Sequence, residues 1–348
     1  MREIYPAPAR VRTAVLGENG RFRLEETAFE PPGDDEIILR LEVAGLNAAH
    51  LDPAYRNAGP RTAVMVGTPV AVGARITGWT AERRALVLWS MLPEEEVEVV
   101  GLADHLRVPG RWLEWDAVQA IPDEIHPDTA TLLPAAAQAA RILRECRLPR
   151  GGTLVVAGLD LVGQILILMA RHHRSAKVFA SDPSPTLRRR AEWSGAGRVL
   201  RPGGGSLAEI VFAETDNAGA DAVVVGAVDE DTLMDAAGAL AVGATLCISG
   251  VEARSGALSF DVDAFWLDEL RFIGVCRPDA RGFRDAVGAV RQGLFDPDTL
   301  ISKRIAWDEL PEVRWDPEYW EHSIHVLVDP PPRPTPDPRP LRGPSPVR

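Results

Sequence analysis

The sequence predicts an α/β protein of two domains, a β-rich antiparallel domain followed by a doubly wound parallel sheet. Three observations carry this. Residues 12–100 string short β-type runs between Gly, Pro and charged turns, the texture of an antiparallel barrel-like unit. From Thr153 to Ser249, β-type runs alternate with helical ones, which calls for parallel strands joined by crossover helices. At 348 residues the chain is also long enough to bury two cores.

In chain order, residues 1–10 form a lead-in, and Arg12–Leu16 with Arg21–Glu25 alternate like a hairpin around Gly17-Glu-Asn-Gly20. Pro31-Pro-Gly33 breaks the chain before Glu36–Ala44, a well-formed strand. Further strands are expected at Ala63–Val66, Val70–Ile76, Ala85–Trp89 and Val97–Val100, and then at Leu106–Val108 and Ala117–Ile121. From Asp128, a candidate helix cap, an alanine-rich helix runs to Cys146 with Pro134 as a kink or a restart. Beyond Thr153 the spacing predicts helices over Leu187–Ser194, Ser206–Ala213, Asp231–Ala241 and Phe283–Gln292. Strands are expected at Arg198–Leu200, Asp221–Val225, Thr245–Ser249, Leu270–Val275, Ser302–Ile305 and His325–Val328. The end, Asp329–Arg348, has nine prolines in twenty residues, too little apolar surface to fold; it reads as a disordered tail with a conceivable PxxP role.

The most informative stretch is Thr153–Asp182. A short apolar run reaches Gly158-Leu-Asp-Leu-Val-Gly163, an apolar helix pattern follows to Met169, and the run Lys177–Ala180 ends on Asp182, 24 residues past Gly158. Strand, tight turn, helix and strand with a terminal carboxylate are the order of a dinucleotide-binding βαβ unit. The outer glycines of G-x-G-x-x-G are present. The middle one, which lets backbone approach a pyrophosphate, is Asp160. A carboxylate there places like charge where a helix N-terminus otherwise welcomes an anion. Either Asp160 weakens dinucleotide binding, or it turns aside and caps the helix.

Composition limits the partners. A net charge of −12 speaks against nucleic acid or an anionic membrane, and lysine chemistry is nearly excluded because only Lys177 and Lys303 exist. Cys146, Cys247 and Cys276 form no CxxC pair and read as buried free thiols of a reduced compartment. With no apolar signal-like segment, a cytoplasmic location is expected.

Several segments along residues 10–330 resemble the medium-chain dehydrogenase/reductase superfamily, the group of zinc alcohol dehydrogenases and zinc-free quinone oxidoreductases. They are EIILRLEVAGLN (Glu36–Asn47), VGTPVAVG (Val66–Gly73), LADHLRVP (Leu102–Pro109), Leu133–Gly163 and Gly219–Gly250. The resemblance implies a discontinuous GroES-like catalytic domain over 1–128 and 290–329, a Rossmann domain over 129–289, and an active site in the cleft between them. It also implies a homodimer joined through edge strands of the Rossmann sheet, at Leu258–Val262 or Leu270–Val275. Position by position, the family's catalytic zinc ligands are here Asn47, Thr68, Pro69 and a residue near Ala136, none of them a ligand of the kind zinc needs. The acidic segment Leu92–Val97 replaces the structural-zinc lobe. No zinc is therefore expected, and the zinc-free branches remain.

In those branches Asn47 matches an asparagine that holds the substrate carbonyl, while His50 stands where an aspartate is usual. The unperturbed pKa of a histidine also suits general acid/base work. Asn47, His50, Tyr55 and Thr68 are the candidates for orienting or protonating a substrate oxygen; each has a bland reading as well, surface histidine, packing tyrosine or strand-end threonine. Gln138 falls near a position beside the nicotinamide. For the cofactor the candidates are Gly158, Asp160, Leu161, Val162, Gly163, Asp182, Gly226, Gly250 and Val251. Asp182, placed for ribose hydroxyls, disfavours a 2′-phosphate, so NAD(H) is expected over NADP(H). Two functions follow. One is a zinc-independent oxidoreductase moving hydride to or from a small carbonyl, enone or alcohol. The other is a redox-inactive member, lyase-like or a binding scaffold, impaired by Asp160.

Overall fold

The computed structural model describes residues 2–3, 8–17, 21–46, 64–93, 102–226, 230–250, 266–313 and 323–332. The expected strand Val97–Val100, the tail from 333 onward, and the candidates Asn47, His50, Tyr55 and Val251 lie outside them.

The first unit is an antiparallel assembly. Its main sheet joins β1 (Arg2–Glu3), β4 (Glu36–Leu46), β5 (Val64–Val72), β6 (Ala85–Leu88), β8 (His105–Pro109) and β9 (Val118–Ala120). A small second sheet pairs β2 (Arg10–Leu16) with β3 (Phe22–Ala28) and β7 (Leu102–Ala103). β4 is buried along nearly its whole length, because it is covered by β5 on one side and by β8 and a late strand on the other. Ile37, Leu39, Leu41 and Leu46 pack there with Trp89 and Trp112, whose rings meet edge to face at 5.4 Å.

Two expectations change here. Gly67-Thr-Pro69 reads as a break between two strands, yet β5 runs straight through it. Pro69 sits at a register shift opposite Leu39, where a missing N–H is tolerated. Asp128, read as a cap, lies inside the first turn of the short helix α2 (Pro127–Ala130), after α1 (Gly110–Glu114). His126 is the N-cap, and Asp128 pairs with Arg304 instead.

The helix α3 (Leu133–Glu145) restarts at Leu133 with Pro134 in its first turn, so the proline initiates rather than kinks. It leads into a second sheet of six parallel strands in the order β12-β11-β10-β13-β14-β15. These are β10 (Thr153–Ala157), β11 (Lys177–Ser181), β12 (Arg198–Leu200), β13 (Ala220–Val225), β14 (Leu240–Ile248) and β15 (Arg271–Gly274). The helices between them are α4 (Leu161–Met169), α5 (Pro185–Trp193), α6 (Leu207–Glu214) and α7 (Glu230–Ala237), with α8 (Ala280–Arg291) following β15. Ser184, Ser206 and Asp279 cap α5, α6 and α8 through side-chain bonds to backbone N–H groups, which fixes where each helix starts. β14 starts earlier than the sequence suggests, because α7 ends at Ala237 and Leu240 already pairs with Ala220.

After α8 and the short α9 (Pro297–Leu300), the chain returns to the first sheet with β16 (Ile301–Ile305) and β17 (His325–Val328), which lies antiparallel on β4. One hydrophobic cluster crosses between the units: Val43, Val66 and Leu86 of the first sheet join Leu132 and Ala136 beside α3, and then Ile165 and Val156. Cys146 and Cys247 are buried as expected; Cys276, just past the sheet edge, is exposed. Among the described residues no helix is long and apolar enough to cross a membrane.

Candidate functional site: a nucleotide turn at the strand switch point

The order of the parallel sheet reverses between β10 and β13: from β10 the chain winds outward to β11 and β12, then crosses back to β13. Open α/β sheets bind ligands outside the carboxyl ends of their strands at such a point. The turn after β10 stands there. Gly158 has φ +92°, a left-handed conformation that L side chains avoid. A Cβ on Gly163 would collide with the carbonyl oxygen of Gly158, so helix and strand approach this closely only with glycine at 163.

Asp182, buried at the end of β11, binds the turn through backbone. Its Oδ2 accepts from Leu159 N at 2.8 Å and its Oδ1 from Ser184 N at 2.8 Å. Burial nevertheless raises its pKa above the usual carboxylate value, the two N–H bonds pulling it down and the charge of Asp160 pushing it up. Arg188 donates to the backbone oxygens of Asp182 and Pro183 at 2.7 Å each, so it holds the strand end in place from the first turn of α5. Gln164, fully buried on α4, donates to the carbonyls of Leu159 and Leu187 and so ties the turn to α5.

Asp160 is the N-cap of α4. Its Oδ1 accepts from Gly163 N at 3.0 Å. The residue is exposed at the mouth of the turn, but protein packed around the carboxyl group strips enough solvent to raise its pKa, against the bonds from Gly163 and Val162. Leu161 and Val162 open the helix behind it. Across the switch point, Gly226 follows β13, its N–H donating to Ala157 O at 2.7 Å, and Gly250 follows β14. Beside Ser181 a cavity of about 540 Å³ is lined by Pro202, Gly203, Ser206, Asp231 and Asp235.

On α3, Gln138 donates to the carbonyls of Ser249 and Val275, at 3.3 and 3.2 Å, and thus covers the ends of β14 and β15. The hydroxyl of Thr68 donates to Glu42, which also receives Arg84 Nε at 2.9 Å. Among the described residues no group of three His, Cys, Asp or Glu stands where it could hold a metal ion.

One buried polar residue was not singled out from sequence. His325 opens β17 against Gly45, where a Cβ would collide with its ring. Its Nε2 lies 2.9 Å from Thr131 Oγ1. The Thr131 hydroxyl spends its proton on Asp128 O at 2.6 Å, so Nε2 carries the proton and donates. Nδ1 is then a buried acceptor with no hydrogen-bond partner. Burial lowers the pKa of the ring to about 4. Only the contrast of a histidine inside the apolar run Ile324–Val328 signals it in the sequence.

A parallel sheet with a glycine turn and a carboxylate at its switch point, set beside an antiparallel β unit, defines a two-domain nucleotide-binding α/β class. Known proteins narrow this. The family model described as zinc-binding dehydrogenase matches residues 162–292. The "Probable zinc-binding alcohol dehydrogenase" of Mycobacterium tuberculosis is 30% identical over 343 residues, covering 86% of this chain and 83% of that one. Among solved structures, a protein of Sinorhizobium meliloti 1021 bound to NADP superposes with TM-score 0.73 at 20% identity, over 93% of this chain and 100% of its own. A protein of Escherichia coli CFT073 in complex with NADH gives TM-score 0.74 at 17% identity, over 92% and 100%. The chain belongs to the medium-chain dehydrogenase/reductase superfamily, in its alcohol-dehydrogenase-like group of oxidoreductases.

The residues present fit a dinucleotide unevenly. Gly158, Gly163, Asp182 and the cavity beside Ser181 suit an adenosine half. At the diphosphate position the carboxylate of Asp160 already holds the helix N-terminus.

Proposed function

We propose that this protein is a zinc-independent, NAD(H)-preferring oxidoreductase acting on a small carbonyl, enone or alcohol in the cleft between its two units. The observation that carries the reading is Asp182, a buried carboxylate bonded to the Gly158 turn at the switch point. Three further points support it. Asp231 and Asp235 line the neighbouring cavity, and with Asp182 they oppose the negative charge of a 2′-phosphate. Asn47, Thr68, Pro69 and Ala136 give zinc no thiolate, imidazole or carboxylate. The nicotinamide, when bound, supplies the hydride chemistry; this chain's part is to orient the substrate oxygen and handle its proton, for which Asn47, His50 and Tyr55 are proposed. Thr68 acts there only if its hydroxyl leaves Glu42. Gly226, Gly250 and Val251 are proposed to touch the cofactor through backbone.

The test is a titration of purified, metal-analysed protein with NADH and NADPH, following nicotinamide fluorescence. Tighter binding of NADH without stoichiometric zinc supports the reading, whereas binding of neither at millimolar concentration sinks it. That second result favours the other reading, a redox-inactive member of the fold, to which the placement of Asp160 points.

A further inference from the structure

The turn has the two outer glycines that bring a nucleotide close, and at the middle position it carries a charged side chain. Gly158 is still left-handed, and Gly163 still allows α4 to approach β10. In place of the middle glycine stands a carboxylate that accepts from the N–H of Gly163 in the first helical turn. That N–H group, with the positive end of the helix dipole, is what such a turn otherwise offers to a phosphate oxygen. The protein thus carries its own anion in the seat of the ligand's anion.

We propose that Asp160 is a specificity-determining residue of the turn: its ionised carboxylate occupies the diphosphate seat, so a diphosphate-bearing nucleotide binds with uptake of a proton by Asp160, while adenosine alone binds unhindered. This rests on the dinucleotide reading above and adds the price that reading sets on the diphosphate.

Among the described residues the basic groups around the turn are engaged with other partners, and the charge of Arg188 acts on Asp182. On β11, Asp182 adds a second carboxylate, and it feels the charge of Asp160. On α5, Arg188 is engaged with the backbone oxygens of Asp182 and Pro183, and Arg190 with that of Thr299; Arg189 completes the basic run of that helix. On α3, the other helix against α4, Arg141 and Arg144 turn to Arg277 and Asp279. β10 carries no charged residue. Two anions sharing this seat repel, and in partly desolvated surroundings the cheapest relief is to neutralise one of them. The diphosphate, a strong acid, keeps its charge; Asp160, already disposed to protonation by its loss of solvent, takes the proton.

The experiment is isothermal titration of the full chain with adenosine, ADP-ribose and NAD⁺. The last two carry a diphosphate diester whose charge stays constant from mildly acidic to mildly alkaline pH, so a pH-dependent difference between the proteins belongs to a protein group. Wild type is compared with Asp160→Asn, which caps a helix as well as aspartate does, and with Asp160→Gly, which restores the open turn. Thermal melts confirm that all three fold. At the higher pH, both variants are expected to bind ADP-ribose and NAD⁺ about ten- to a hundredfold more tightly than wild type, with adenosine unchanged. Lowering the pH should close the gap. Titrations in buffers of different ionisation enthalpy should show proton uptake by wild type and none of it by the variants; Asp182 is present in all three, so the difference belongs to Asp160. Equal affinities and equal proton uptake across the three proteins would overturn the proposal while leaving the dinucleotide reading intact. Failure of all three proteins to bind any of the ligands overturns both.

Discussion

Asp182 and His325 are two buried polar residues with opposite legibility. Asp182 accepts from Leu159 N and Ser184 N, so removing it leaves two backbone donors without their partner as well as a missing ribose acceptor. Asp182→Ala is expected to weaken NADH about tenfold or more and to erase the preference over NADPH, by fluorescence titration of both. Position announced this residue: it ends a β-type run at the right distance from a glycine turn. His325 is different, because its character comes from neighbours far away in sequence, Gly45 and Thr131. Its pKa in the fold, about 4, lies below the unfolded value of about 6.5, so the unfolded chain binds more protons between those limits. The contribution of neutral His325 is therefore complete above about pH 6.5 and is lost as pH falls toward 4, by up to about 3 kcal/mol. Urea unfolding at neutral and mildly acidic pH measures it, and His325→Gln should flatten that part of the pH dependence; an unchanged slope counts against it.

At the scale of elements, the helix α4 owes its position to one absent side chain. Gly163→Ala drives a Cβ into the Gly158 carbonyl, and backbone cannot yield as a side-chain tip can. The expected cost is about 1–3 kcal/mol, read as a fall of several degrees in melting temperature together with loss of nucleotide binding. Of the capping residues Ser184, Ser206 and Asp279, only Ser206 was reached from sequence; the expected starts of α5 at Leu187 and of α8 at Phe283 fall inside the observed helices. Prolines were harder to read. Pro134 opens α3, and Pro69 sits within β5 at a register shift, and that shift is a property of the partner strand β4. A residue's own neighbours in sequence do not record what lies across the ladder.

For the whole molecule, the outer edge of the parallel sheet matters most. β15 pairs with β14 on one side only among the described residues, and Phe272, Trp266, Leu267 and Val242 are exposed nearby. A strand with one described neighbour and exposed apolar side chains around it offers a face to a second copy. A homodimer through β15 is therefore expected, the other expected edge, Leu258–Val262, lying outside the described residues. Light scattering coupled to size exclusion should give twice the chain mass, and Phe272→Arg should shift it to monomer; a monomeric wild type refutes this assembly. Within one chain, the cluster running from Val66 through Ala136 to Ile165 joins the two units into one continuous core.

The sequence by itself determined the alternation of strands and helices, the glycine turn, the carboxylate at Asp182 and the aspartate at the diphosphate position. All of these follow from local periodicity and spacing, which survive any rearrangement of distant parts. Tertiary structure alone decided that β17 returns to β4 and buries His325 there, that the hydroxyl of Thr68 is tied to Glu42, and that Asp160 turns to cap α4. Those outcomes depend on which groups compete for each donor once the chain has closed on itself. At the turn the competition went to the carboxylate, because the Gly163 N–H at the helix N-terminus stood within its reach.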